Sequence, residues 1–426
     1  MAGPGGSGSV GEDGRFVSKA PRLGYAGPFD GMRGGGLVAV LVAHAAYFDF
    51  ASFAIAVDMF FVISGFLIIT LILEEDRATG RLDFRKFYTR RALRLFPVLY
   101  LVLALTLLGA LVIGNETDPA DEKTKGVEEV GLVDKTLNDV ASAGLYMYHV
   151  VHPVHHEMVS GRSPELPEGS SLGAPEHRPL IQLWSLSVEE HFYLVAAVLT
   201  VFVVRRRLAK PLIVLFVVLW AAIGVSRALG HVGFREMWYQ RPDALLLGVA
   251  LAFLNAMSPP EWSARATRRL LHAGYVAWVV VAATVFVGTG FARKLGVFVA
   301  FLPPSGKYLH DGLYWGRFGF SISSACFAVI VWSLIRVPDQ PIARWLSAGW
   351  LRALGRRSYV LYIVHVPLAV LIDIGFRDSL SEGARLLLYV PLFVVISELI
   401  HRGVEQPVLR MKHRFTQKEA SGVPLQ

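Results

Sequence analysis

The feature that most constrains this chain is a series of apolar runs, each about long enough to cross a bilayer, joined by polar connections. A hydrocarbon core of about 30 Å takes roughly 20 apolar residues of helix. On that scale the sequence predicts ten spans, at 34–51, 53–73, 95–114, 181–204, 211–226, 241–257, 271–290, 314–335, 354–376 and 384–401. Barrel strands would show short alternating segments instead. With 54% hydrophobic and only 18% charged residues, the expected fold is all-α: a polytopic membrane protein of about ten transmembrane helices. The first and fifth spans are short, so their ends are expected to tilt or to extend into polar residues.

Charge supplies the topology. The net charge is +8, but the basic residues gather in the connections 77–94, 205–210, 265–269 and 336–357 and in the tail 402–418. By the positive-inside rule these face the cytoplasm, which puts both termini inside. The acidic segment 115–180 is expected outside. The connection 291–313, with Arg293, Lys294 and Lys307, fits the outside less well. Basic segments that alternate with spans argue for membrane topology and against a nucleic-acid partner.

The domain reading follows. Residues 1–28, rich in Gly, Pro and Ser, read as a disordered tail without the apolar region of a signal peptide. Residues 29–410 form the transmembrane domain, with 115–180 as an extracytoplasmic loop, and 411–426 a basic cytoplasmic tail. The single cysteine, Cys326, excludes an intramolecular disulfide. No internal repeat is visible, nor a matched pair of broken spans of the kind many transporters carry.

Ionisable residues inside apolar runs are costly and mark candidate sites. Arg33 and His44 are eleven residues apart. On one helix, eleven steps of about 100° overshoot three turns by only about 20°, over a rise of roughly 16 Å. A guanidinium at one level and an imidazole three turns deeper suit a long ligand with an anionic head, as an acyl-CoA would be. In the expected topology Asp58, Glu189, Glu190 and Arg241 lie near the outer ends of their spans, and Tyr362 and His365 rise along the ninth. His44 is the candidate general base, and Asp58, Glu189 and Glu190 are its candidate catalytic partners. Arg33, Arg91 and Arg94 are candidate donor-binding residues, because guanidinium forks match phosphate oxygens. Trp184, Arg241, Tyr362 and His365 are candidates for the acceptor side or the cavity wall.

Plainer readings stand beside these. His44 fits a packed core histidine, and Arg33 fits snorkelling or a pair with Asp30. Arg91 and Arg94 fit topology charges, and Asp58, Glu189 and Glu190 fit helix N-termini, whose dipole favours carboxylates. Arg241 fits a partner for one of these acids. His149, His152, His155 and His156 cluster in what reads as an irregular outer loop without ordered carboxylate spacing, and no metal is expected.

Taken together, the motifs resemble those of the acyltransferase-3 family of integral-membrane O-acyltransferases, over about residues 28–410. Asp30-Gly31-Met32-Arg33-Gly34 with His44 is similar to its Arg-x10-His motif. The stretch from Val57 to Phe66 resembles its second-span signature, and Arg91 with Arg94, ahead of Pro97, its Arg-x-x-Arg motif. The stretch from Trp184 to Tyr193 resembles its Trp-Ser-Leu-Ser-Val-Glu-Glu-Gln-Phe-Tyr stretch, with His191 where Gln is usual. Arg241 to Gly248, Leu354 to Pro367 and Glu405 to Pro407 match weaker signatures.

The resemblance implies acyl transfer to hydroxyls of carbohydrates and other acceptors. Some family members carry an added extracytoplasmic hydrolase-like domain; this chain is expected to be a stand-alone member. The expected function is a membrane O-acyltransferase of the plasma (inner) membrane. It takes a cytosolic acyl-CoA, acetyl-CoA included, as co-substrate and holds no permanently bound cofactor. Its expected acceptor is a carbohydrate, a glycolipid or a glycosylated small molecule. The competing reading is a proton-coupled transporter or flippase with His44, Asp58 and Glu189 as relay groups, which would act without consuming a thioester.

Overall fold

In the computed structural model the chain forms a bundle of long helices; the structure describes residues 16–24, 26–45, 53, 55–114, 131–151, 178–229, 243–287 and 315–411. The helices are α1 (Gly27–Ala45), α2 (Ala56–Thr79), α3 (Phe84–Ile113), α4 (Leu132–Gly144), α5 (Tyr148–Val151), α6 (Leu183–Arg206) and α7 (Ala209–Ala228). They continue with α8 (Asp243–Met257), α9 (Ala264–Val287), α10 (Trp315–Arg336), α11 (Pro341–Leu346), α12 (Gly349–Phe376) and α13 (Glu382–Ile400). A π-helical turn, His401–Glu405, leads into α14 (Gln406–Met411).

Among the described residues eight helices are long and apolar enough to cross a membrane: α2, α3, α6, α7, α9, α10, α12, and α13 run on through α14. The other two expected spans are occupied by α1 and α8. The first half of α1 holds Asp30, Arg33 and several glycines. The 15 residues of α8 rise only about 22 Å, less than a hydrocarbon core.

Local chemistry sets the ends. Gly80, at φ 74°, closes α2 in the left-handed conformation that glycine adopts without strain. The Asp83 carboxylate then accepts the Lys86 amide at 3.0 Å and starts α3. The helix therefore begins at Phe84, and the basic residues read from sequence as a connection form its first turns.

The core is built on α2. Inside the bundle, 78% of its apolar window is buried, against 17% for the peripheral α7. Against α2 packs α8, backbone to backbone. A Cβ on Gly65 would stand 2.6 Å from the Leu245 carbonyl oxygen, and one on Gly248 would stand 2.9 Å from the Phe66 nitrogen. Small residues of this kind let membrane helices approach closely. On the far side of α8, Arg227 of α7 forms a bidentate pair with Asp243, at 2.7 and 2.9 Å, with both side chains buried.

Two expected irregular stretches contain structure. Within 115–180, the buried residues of α4 (Leu132, Lys135, Thr136, Asp139, Ser142, Ala143) recur at three- and four-residue spacing, the pattern of an amphipathic helix. Arg178, Tyr148 and the Leu180 amide donate to the Asp139 carboxylate at 2.7, 3.3 and 3.3 Å and tie the segment down. At the other end, residues 16–24 of the stretch read as a disordered tail are tied to the bundle. The Phe16 amide donates to the Val204 carbonyl at 3.2 Å, the Lys19 amide to that of Ala256 at 2.7 Å, and Arg77 to that of Ala20 at 2.6 Å.

Candidate functional site

A cavity of about 150 Å³ opens between α1, α2, α3, α6 and α12. Its charged lining is Arg33 from α1, Arg91 and Arg94 from α3, and Glu189 from α6. Helix starts explain the meeting. α1 begins at Gly27 and α6 at Leu183, so Arg33 and Glu189 each sit six residues, about 9 Å, inside their helices. Arg33 is thus deeper than the surface position its sequence context suggests. Arg91 and Arg94 lie two to three turns into α3 and not in a connection.

Glu189 is the hub. Ser64, in the middle of α2, donates to its Oε1 at 2.8 Å, and the Tyr193 hydroxyl donates to Oε2 at 3.4 Å. Tyr193 stands four residues beyond Glu189, on the same face of α6. The Arg91 guanidinium lies 3.6 Å from the Tyr193 ring centroid, a cation–π contact. Arg33, Arg91 and Arg94 are all within electrostatic reach of Glu189. Glu190 points about 100° away, toward Tyr146 and Tyr359. Its Oε1 is buried and makes no hydrogen bond among the described residues.

The wall from α12 is also hydrogen-bonded. The Tyr362 hydroxyl donates to the Gln182 carbonyl at 2.7 Å, which leaves Ser185 Oγ as donor in their 2.7 Å contact. His365 lies behind Tyr362, with Nδ1 2.6 Å from the Tyr362 carbonyl oxygen. A carbonyl only accepts, so the proton of the neutral ring is on Nδ1 and Nε2 is the basic nitrogen. Trp184 packs edge-on against Phe61, at 6.1 Å between centroids, and Phe61 lines the cavity.

Other sequence candidates fall elsewhere. Val57 lines the cavity, but the Asp58 carboxylate turns toward α10, where Ser323 donates to it at 3.2 Å, and lies in the field of Arg227. The His44 backbone is in the last turns of α1, which is unbroken from Arg33 onward; the spacing of about 16 Å and 20° therefore holds for the backbone. The His44 side chain and all of Arg241 lie outside the described residues.

His191 and His149 meet. Their rings are edge to face, 4.8 Å apart, on α6 and α5. His149 is fully buried, with neither ring nitrogen hydrogen-bonded among the described residues. Burial first, and His191 second, disfavour its imidazolium and push its pKa down to about 4. His152, His155 and His156 lie outside the described residues. Among the described residues no group of three or more His, Cys, Asp or Glu side chains is arranged to hold a metal ion.

Ser64, Ser185, Tyr193 and Tyr359 line the cavity without having been singled out as site residues. The signals were present: Ser64 is a hydroxyl in the middle of an apolar run, and Tyr193 is one helical turn from Glu189.

The acyltransferase-3 family model, described as an acyltransferase domain, matches residues 28–402. The chain belongs to the acyltransferase-3 family. This family member is 25% identical over 394 residues to the O-acetyltransferase OatA of Staphylococcus aureus. It is 27% identical over 391 residues to the putative peptidoglycan O-acetyltransferase YrhL of Bacillus subtilis, and 25% over 397 residues to the peptidoglycan O-acetyltransferase OatA of Listeria monocytogenes. Each match covers 90% of this chain but only 57%, 55% and 56% of the relative; the chain spans little more than half the length of these curated relatives. No solved structure gives a significant match.

Proposed function

We propose that this acyltransferase-3 member is a multi-pass plasma-membrane O-acyltransferase, with both termini in the cytoplasm, that moves an acyl group from a cytosolic acyl-CoA to a hydroxyl of a carbohydrate or glycosylated acceptor. The observation that carries this reading is the cavity, where three guanidiniums and one carboxylate meet inside an apolar bundle. Charge in that setting is costly and is retained for a ligand or a pathway. Arg33, Arg91 and Arg94 take the donor's diphosphate. Glu189, held by Ser64, fixes the arginines at the wall.

His44 stands about 16 Å further along α1 and within about 20° of the same face. That is comparable to the reach of a pantetheine arm, so the thioester arrives at His44. There the neutral imidazole removes the acceptor hydroxyl's proton as that oxygen attacks the thioester carbonyl. The new ester C–O bond forms, the C–S bond breaks, and CoA leaves as a thiolate. Thiols ionise near pH 8.5, so the leaving group needs little acid assistance. Tyr362 and His365 form the acceptor side. The relatives named as peptidoglycan O-acetyltransferases support acetyl as the acyl group and a cell-envelope polysaccharide as the acceptor class.

The test uses purified protein in nanodiscs with acetyl-CoA and soluble N-acetylglucosamine oligomers. Acceptor-dependent release of free CoA thiol, with ester appearing on the sugar, is expected. Proton-coupled movement of solute without thioester consumption would contradict the reading and favour the relay alternative.

A further inference from the structure

A second and larger cavity, about 580 Å³, lies at one end of the bundle, between the start of α1, the C-terminal parts of α2, α8 and α10, α11, and the start of α12. That volume is in the range of small-molecule sites. Its charged lining consists of four arginines, Arg22, Arg336, Arg344 and Arg352, and its lining contains no Asp or Glu. Arg336 is occupied: it donates to the Asn255 side chain at 2.7 Å and to the Pro259 carbonyl at 2.8 Å, forming the back wall. Arg344 and Arg352 are placed for a ligand. Arg344 is exposed and its side chain makes no hydrogen bond among the described residues, while Arg352 Nε is buried and without a partner there. Thr70 is 7% exposed, and its hydroxyl, also on this wall, is likewise without a partner. The first turn of α1 opens onto the same space, and helix N-termini favour anions. Gly27 makes room there: a Cβ on it would stand 3.1 Å from Ser347 Oγ and 3.4 Å from Arg352 Cδ.

We propose that this basin holds the adenosine 3′-phosphate end of the acyl-CoA donor, with Arg344 and Arg352 on the 3′-phosphate. The proposal rests on the acyl-CoA reading above and extends it along the donor. Phe29 lines the basin and Arg33, one turn on, lines the inner cavity, so the two linings come within one turn, about 6 Å of rise, of each other on α1. The donor then lies along α1 in one direction: 3′-phosphoadenosine in the basin, diphosphate at Arg33, Arg91 and Arg94, thioester toward His44. The basin sits at the bundle end that carries the basic connections, which is the cytoplasmic end by the positive-inside rule.

CoA and dephospho-CoA differ only in the 3′-phosphate, so calorimetric binding of both to the protein in phosphatidylcholine nanodiscs isolates the basin. Wild type is expected to bind CoA roughly 10- to 100-fold more tightly than dephospho-CoA, the range of a charge-assisted contact. Arg344→Ala and Arg352→Ala should each reduce that ratio while leaving dephospho-CoA affinity near the wild-type value. Thr70→Val, a milder change, should weaken CoA alone by a smaller factor. Arg94→Ala should weaken both compounds and preserve the ratio. An unaltered ratio in both basin variants overturns the assignment, as does equal weakening of both compounds. Binding that follows added phosphatidylglycerol and ignores the 3′-phosphate assigns the basin to a lipid headgroup and also overturns it. In each of these cases acceptor-dependent CoA release by wild type leaves the acyltransferase reading standing. Absence of both CoA binding and CoA release in wild type removes both.

Discussion

Replacing Arg94 by alanine should weaken the donor and leave the acceptor almost untouched. Arg94 lines the inner cavity and lies within electrostatic reach of Glu189 and Glu190. A charge-assisted contact to phosphate is worth about 1.5–3 kcal/mol, so the apparent KM for acetyl-CoA should rise roughly 10- to 100-fold. Arg91 differs in kind, because its guanidinium also stacks on Tyr193, whose hydroxyl reaches Glu189. Removing it forfeits about 0.5–2 kcal/mol of cation–π attraction as well and frees the ring beside Glu189. Arg91→Ala should therefore raise the donor KM and also lower kcat. The lysine variants sharpen the contrast: Arg94→Lys keeps a point charge for phosphate and should recover part of the loss. Arg91→Lys loses both the fork and the planar stack and should recover less. Initial rates in nanodiscs, with donor and acceptor varied in turn, give the two constants. Equal shifts in both, or none, would refute the donor assignment and return these arginines to topology.

Three further outcomes are expected. Gly248→Ala should cost about 1–3 kcal/mol, because the new methyl clashes with the Val62 carbonyl oxygen and stands 2.9 Å from the Phe66 nitrogen, whereas Gly35→Ala meets nothing within 4 Å; equal melting temperatures would contradict the close α2–α8 contact. His149 binds its proton in the unfolded chain from about pH 6.5 downward but in the fold only near 4, so stability is lost as pH falls through that interval. Between pH 7.5 and 5 the loss from this group is on the order of 1–2 kcal/mol; His149→Phe should flatten the melting-temperature slope, and an unchanged slope would place the proton elsewhere. Cysteine labels placed at 120–170 should react from outside and labels at 77–90 only from inside; the reverse would remove the case for a cytosolic donor.

Much of this was legible in the chain, for physical reasons. Apolar runs report burial in lipid, so the order of the long helices follows directly from residues 34–401; the count of spans does not, because α1 carries charge and glycine in its first half and α8 is short. Within α1 the Arg33–His44 spacing needs only helical geometry. Connections were less legible. Hydropathy assigns the basic residues of 84–94 to a loop, whereas the Asp83 cap makes them helix and carries Arg91 and Arg94 into the bundle. Pairings between distant segments were not legible at all. Ser64 meets Glu189 across 125 positions and Ser323 meets Asp58 across 265, and no local pattern encodes either. Glu189 and Glu190 look equivalent in sequence, yet one residue step of about 100° puts Glu189 in the lining of the arginine cavity and Glu190 near Tyr146 and Tyr359, still in the field of Arg91 and Arg94. The α4 segment escapes a hydropathy reading for another reason: its amphipathic stripe, built on Leu132, Thr136 and Asp139, is too short and too polar to register as a span.

The most direct test of the account is the turnover of His44→Gln. Glutamine keeps much of the volume and hydrogen bonding of histidine but cannot accept a proton at neutral pH. In nanodiscs, with acetyl-CoA and acceptor both saturating, the variant should bind CoA as wild type does. Its turnover should fall by about 10²–10⁴, the usual contribution of a general base. Wild-type turnover in this variant would make His44 a structural histidine and move the search for the base to Glu189, Glu190 and His365.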